Sequence, residues 1–180
     1  MIYSATVQIK QPVEKPESPL FGSGPTKKFP GWTWKCLESA LLGRSHRSVE
    51  GHQRLQKIID LMRVVLEIPA SYQIAIMPGS ATGAVEAALW NFLGSRGVDV
   101  FSWDVFGKLW VMDVVQQLKI PEQRIFEAVN FGEIPDLSQY NPNHDVVFTW
   151  NGTSAGVCVP NLDWIPDVRQ GLTICDATSS

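Results

Sequence analysis

Metal-binding and disulfide-forming residues are scarce in this chain. Its 180 residues hold three cysteines and three histidines. Cys36, Cys158 and Cys175 are odd in number, far apart and set among apolar residues. They form neither a disulfide frame nor a ligand set, and they read as reduced packing residues. His46, His52 and His144 have no HxxxH or CxxC company, so no metal site is expected. Basic clusters are lacking as well: Lys27-Lys28 and the Arg44/Arg47 pair are the densest, and the net charge is −3. Such a balance excludes the electrostatic footprint of a nucleic-acid binder. No apolar run reaches membrane-spanning length, and the start, MIYSATVQIKQ, lacks a charged head followed by an apolar block. No membrane partner is expected, and the cytoplasm is the expected location. Asn151-Gly152-Thr153 matches a glycosylation pattern that would carry no meaning there. Neither GxGxxG nor GxxxxGK[ST] occurs, which removes the Rossmann and P-loop signatures. There is no internal repeat and no low-complexity tract.

What is present is the composition of one globular core, 44% apolar and 18% charged. Residues 1–31 are rich in proline and glycine and predict an irregular arm. Thr33 to Leu42 can form a short helix capped by Thr33. From Val49 to Leu66, Leu55, Ile58, Ile59, Met62, Val65 and Leu66 recur at helical spacing with charges between them. After Pro69 the pattern alternates. Strands are expected at 73–77, 98–103, 124–129, 145–150 and 172–175, and helices at 80–93 and 108–118, the latter with Leu109, Met112, Val115 and Gln116 inward. Residues 162–170 read as a short helical or irregular crossover. The fold class is therefore α/β, a mostly parallel sheet flanked by helices. The division is residues 1–70, arm and helices, and residues 71–180, the front of an α/β domain.

Ligands of open α/β sheets bind outside the carboxyl ends of the strands. Four such ends are legible. Gly79-Ser80-Ala81-Thr82 opens a helix, and its free N–H groups with the positive dipole end make a phosphate seat. Asp104-Val105-Phe106-Gly107 puts an aromatic ring on a loop. Asn151-Gly152-Thr153-Ser154 supplies small polar donors, and Asp176 a carboxylate at a strand tip. Each alone has an ordinary reading as a cap, a packing ring or a turn residue. Together they suit a phosphorylated planar heterocycle with a basic ring nitrogen, and pyridoxal 5'-phosphate meets that description. Its phosphate would sit on the helix start and its ring on Phe106. Thr153 would bond the ring hydroxyl or the phosphate, and Asp176 would face the pyridinium nitrogen.

Several of these segments, with others, resemble the phosphoserine aminotransferases, members of the class V group of fold-type I pyridoxal-phosphate enzymes. The residues that carry the resemblance are Phe21-Gly22-Ser23-Gly24-Pro25-Thr26, Ser45-His46-Arg47-Ser48, the loop 79–83, Val105-Phe106-Gly107, Asn151-Gly152-Thr153 and Asp176-Ala177-Thr178-Ser179-Ser180. The resemblance implies that Ser80, Ala81 and Thr82 surround the cofactor phosphate and that Phe106 stacks on the ring where many members have Trp. It implies that Thr153 and Asp176 contact the ring hydroxyl and ring nitrogen. It also implies that His46 and Arg47 grip a substrate anion; without it, those two read as a solvated loop. The implied reaction is transamination of 3-phosphohydroxypyruvate with glutamate to phosphoserine and 2-oxoglutarate, a step of serine biosynthesis, in a homodimer.

The main departure is the missing Schiff-base lysine. In the family it follows the aspartate-bearing strand by a short interval, and none of the eight lysines here stands there. It is expected beyond Ser180, these residues being the front of a longer protein and inactive alone. Two other readings compete. One is another class V enzyme such as a serine–glyoxylate aminotransferase, against which Ser45-His46-Arg47 argues. The other is a non-catalytic α/β domain that binds a ligand or partner.

Overall fold

A computed structural model describes residues 13–14 and 28–180. Most of the arm expected over 1–31, including Phe21–Thr26, lies outside the described residues. The chain divides into two compact units, Met1–Gln73 and Ile74–Ser180.

The first unit carries a 3-10 turn, Trp34–Leu37, and helix α1, Val49–Val65. The turn is shorter than the helix expected there. Its cap residue Thr33 makes no side-chain bond, and none of its residues is buried. Helix α1 is well started: Ser48 Oγ accepts from the Gly51 N–H at 3.0 Å. Gly51 lets the preceding loop pass close to the helix, since a Cβ there would lie 2.6 Å from the Ser45 carbonyl oxygen. Arg63 closes the other end by donating to the carbonyls of Pro69 and Tyr72. The apolar stripe exists, but no residue of α1 is buried.

The second unit is built on four parallel strands in the order β2-β1-β3-β4. They are β1 Val98–Ser102, β2 Gln123–Glu127, β3 Asp145–Thr149 and β4 Thr173–Asp176. Val100 pairs with Ile125 and Val147, and Thr149 with Asp176. Every residue of β1 and β3 is buried, as expected for central strands covered on both faces. On one face Val98, Val100 and Val147 meet Leu89, Trp110, Val114 and Ile120. Leu89 comes from helix α2, Ser80–Phe92, and Trp110 from helix α3, Val105–Met112. On the other face Phe101, Val146 and Phe148 pack with Tyr140 and Val159. Trp164 stands edge-on to Phe101, Tyr140 and Phe148, at 5.1–5.7 Å between ring centroids. The crossover at 162–170 is irregular, and its tryptophan does the covering.

Three further expectations need correction. Residues 73–77 form no strand. The run has strand composition, but a strand exists only where its N–H and C=O groups find a ladder, and among the described residues neither edge of the sheet takes it. Ile76 and Met77 are left exposed. The inward face of α3 is Gly107, Trp110 and Val114, whereas Leu109 and Met112 are exposed. Asp104 sets that phase by capping the helix three residues earlier than the pattern suggested, its Oδ1 accepting from the Gly107 N–H at 2.9 Å. Helix α3 then runs into a π turn, Asp113–Gln117, closed by Leu118 N–H to the Asp113 carbonyl at 2.8 Å. Finally, the three cysteines are free but exposed, so they are not packing residues.

Candidate functional site

The carboxyl ends of the parallel strands carry a small cleft. It is lined by Ala81 and Thr82 from the start of α2, Phe106 and Trp110 from α3, Thr149 at the end of β3 with Asn151 and Thr153 after it, and Asp176 at the end of β4 with Thr178 and Ser179 after it. Five residues expected from the sequence thus come together: Ala81, Thr82, Phe106, Thr153 and Asp176. Ser80 is adjacent in the chain and is not part of the lining.

Helix α2 begins in an unusual way. Gly79, its N-cap residue, has φ 94° and Ser80 has φ 65°, and no side chain caps the end. The first turn closes with Gly83 N–H to the Gly79 carbonyl at 3.0 Å. The N–H groups of Ser80, Ala81 and Thr82 therefore remain for an outside acceptor. Left-handed backbone at a serine stores strain, and such strain gathers where backbone is held for a ligand. Ser179, also in the lining of the cleft, shares that conformation with φ 65°.

Hydrogen bonds tie the three loops around the cleft to one another. Asp104 Oδ2 accepts from the N–H and the hydroxyl of Ser154, both at 3.4 Å, joining the start of α3 to the loop after β3. Asn151 Nδ2 donates to Thr153 Oγ1 at 3.2 Å and to the Ser179 carbonyl at 3.5 Å, joining that loop to the one after β4. The turn itself is tight, with Gly152 N–H donating to the Val157 carbonyl at 2.7 Å. Thr153 is thus placed by residues on both sides, while Phe106 stands at the mouth, 43% exposed.

Asp176, 7% exposed, is the buried carboxylate of the cleft. Its Oδ1 accepts from the Thr178 N–H at 3.0 Å and from Thr178 Oγ1 at 2.6 Å. Its Oδ2 accepts from the Trp110 indole N–H at 3.1 Å. All three donors are neutral, and among the described residues no cation lies within ion-pair distance of it. Beside it, Thr149 Oγ1 and Asn151 Oδ1 are buried without a hydrogen-bond partner among the described residues. A buried carboxylate without a cation and two unmet polar atoms form an incomplete set of interactions, of the kind a polar ligand completes. Trp110 was not singled out in the sequence. The signal was available, since it lies four residues after Phe106 and therefore on the same helical face.

His46 and Arg47 belong to the first unit. Both are exposed. His46 borders a shallow depression with Cys36, Arg44 and Arg54. The Arg47 N–H donates to Ser45 Oγ at 3.1 Å, which folds the loop ahead of α1. Among the described residues no cluster of His, Cys, Asp and Glu could hold a metal ion, and no helix is long and apolar enough to cross a membrane.

No protein-family model matches the chain. Among curated proteins it is 49% identical over 170 residues to the phosphoserine aminotransferase of Methanosarcina mazei, across 94% of this chain and 46% of that protein. To the phosphoserine aminotransferase of Methanosarcina barkeri it is 48% identical with the same coverage. A putative phosphoserine aminotransferase of a Mycobacterium species is 27% identical over 168 residues, 92% of this chain and 44% of that protein. In fold, the chain is similar to a solved phosphoserine aminotransferase studied for radiation damage of its Schiff base. The TM-score is 0.60 at 24% identity, over 76% of this chain and 38% of that one. The chain spans about half the length of the curated relatives it matches. In sequence over nearly its whole length the chain is similar to the phosphoserine aminotransferases of the two Methanosarcina species, and its fold is similar to that of a solved one.

Proposed function

We propose that the protein of which this chain is part is a pyridoxal-phosphate-dependent aminotransferase. It would pass the amino group of glutamate to 3-phosphohydroxypyruvate, giving phosphoserine and 2-oxoglutarate. Residues 71–180 would be the front part of its cofactor domain, residues 1–70 the arm and helices, and the working protein a cytoplasmic homodimer. The observation that carries this reading is Asp176, a buried carboxylate with three neutral donors and, among the described residues, no cation, in the lining of a cleft on the carboxyl side of a parallel sheet.

The residues fit the cofactor. The uncapped N–H groups of Ser80, Ala81 and Thr82 would hold its phosphate. Phe106 would cover its ring, and Thr153 would donate to a ring or phosphate oxygen. Asp176 would hold a proton at the ring nitrogen, supplying the cation partner its surroundings lack. When bound, the group supplies an electron sink for breaking bonds at the substrate α-carbon. His46 and Arg47 would bind the substrate's phosphate or carboxylate, and the lysine that attaches the cofactor would lie outside these residues.

The test uses the full-length protein. Incubated with glutamate, 3-phosphohydroxypyruvate and pyridoxal phosphate, it should release phosphoserine and 2-oxoglutarate in equal amounts, detectable by mass spectrometry. Arg47→Ala should raise the KM for one of the anionic substrates about ten- to a hundredfold while cofactor absorbance is kept. No phosphoserine from a cofactor-loaded protein would overturn the substrate assignment. No cofactor binding would overturn the class.

A further inference from the structure

We infer that Trp110 is a positioning residue that aims the Asp176 carboxylate. The inference rests on the reading of Asp176 as the partner of the cofactor's ring nitrogen. A carboxylate has two oxygens and about four lone-pair sites. Thr178 takes both sites on Oδ1, through its N–H at 3.0 Å and its hydroxyl at 2.6 Å. Trp110 takes one on Oδ2, at 3.1 Å. The single remaining site is on Oδ2, and the indole N–H fixes which way it points. Without that N–H the carboxylate could turn about its Cβ–Cγ bond, held at one oxygen only.

Trp110 is suited to this because its ring is packed in the core. It is 2% exposed and wedged against Leu89, Val98, Val100 and Val147. Its backbone sits in α3, whose phase is locked by Asp104 at the cap. The bond spans 66 residues of sequence and joins the helix after β1 to the end of β4. The donor is also neutral. It orients Asp176 without cancelling its charge, leaving that charge for a cation that enters the cleft. An arginine or lysine in the same place would satisfy the carboxylate and compete with the ligand.

The experiment uses the full-length protein with two changes at this position. Trp110→Phe removes the N–H and part of the ring, and benzothienylalanine at position 110 replaces the N–H by sulfur with the packing kept. Both should weaken pyridoxal phosphate binding about tenfold by equilibrium dialysis and shift the pH at which bound cofactor changes its absorbance. kcat should fall about tenfold with substrate KM unchanged. The sulfur variant keeps the comparison valid if Trp110→Phe does not fold. A folded sulfur variant with wild-type cofactor affinity and wild-type absorbance titration would overturn the inference and leave the proposed function standing. A wild-type protein that binds no cofactor would overturn both.

Discussion

Asp99 and Asp176 are both buried carboxylates on one parallel sheet, and they lie at opposite ends of it. Asp99, in β1 near the amino ends of the strands, is fully buried and surrounded by partners. Arg124 grips both its oxygens, His144 Nδ1 faces Oδ1 at 2.8 Å, and the Asn141 N–H donates to Oδ2 at 2.8 Å. Arg124 continues to the Gln139 carbonyl, and His144 Nε2 faces Glu122. Asp176, at the carboxyl end, meets neutral donors alone among the described residues. The first carboxylate is neutralised within the fold. The second keeps its charge available. Burial does not by itself mark a functional acid; what separates the two is whether a cation already answers the charge.

The comparison can be broken from either side. The largest effect is expected at the cleft. Asp176→Asn in the full-length protein should lower kcat about a hundredfold or more while denaturation midpoints stay near wild type. Asp99→Asn should do the reverse, costing about 2–3 kcal/mol in urea unfolding with turnover per folded molecule unchanged. If Asp99→Asn lost activity without losing stability, the division of roles between the two ends would fail.

Acid should act on the amino end. Burial pushes the Asp99 carboxyl up, but the Arg124 bond, the Asn141 N–H and His144 outweigh it, and the net value lies below the ordinary 3.8. A lowered carboxyl stabilises the fold in full above its unfolded value and loses that contribution as pH falls through the folded one. Urea midpoints measured from neutral pH downward should therefore drop below about pH 4, and the drop should be shallower in Asp99→Asn. The smallest effect sharpens the picture of the cleft. Thr178→Ser keeps the hydroxyl donor to Asp176 Oδ1 and should change kcat by less than about twofold, whereas Thr178→Val should cost about tenfold. Steady-state kinetics on the pair separates a hydrogen bond from a packing role.

Much of the second unit was legible in the sequence because both central strands are short, mostly apolar segments, β1 with Val98, Val100 and Phe101 and β3 with Val146, Val147 and Phe148. Their parallel order followed from the helical segments between them. The strand expected at 73–77 failed because composition records what a segment could pair with and says nothing of whether an edge is there to receive it. The phase of α3 failed for a local reason: Asp104 as cap outweighs the spacing of Leu109, Met112 and Gln116. In the cleft, the loops were readable since ligands gather at the carboxyl ends of parallel strands. The bond between Trp110 and Asp176 was not. Trp110 reads as core, and its bond to Asp176 depends on two elements 66 residues apart in sequence. Nothing local announces that contact.

The π turn at Asp113–Gln117 bears on how the length of this chain can vary. A π turn is a stretch of helix holding one residue more than its hydrogen-bond ladder needs. Dropping a residue such as Val115 would let the ladder close again with ordinary spacing. Trp110 lies before the turn, so its indole and the Asp104 cap would keep their places. The side chains that converge on the carboxylate are therefore insulated from a change of length one turn downstream.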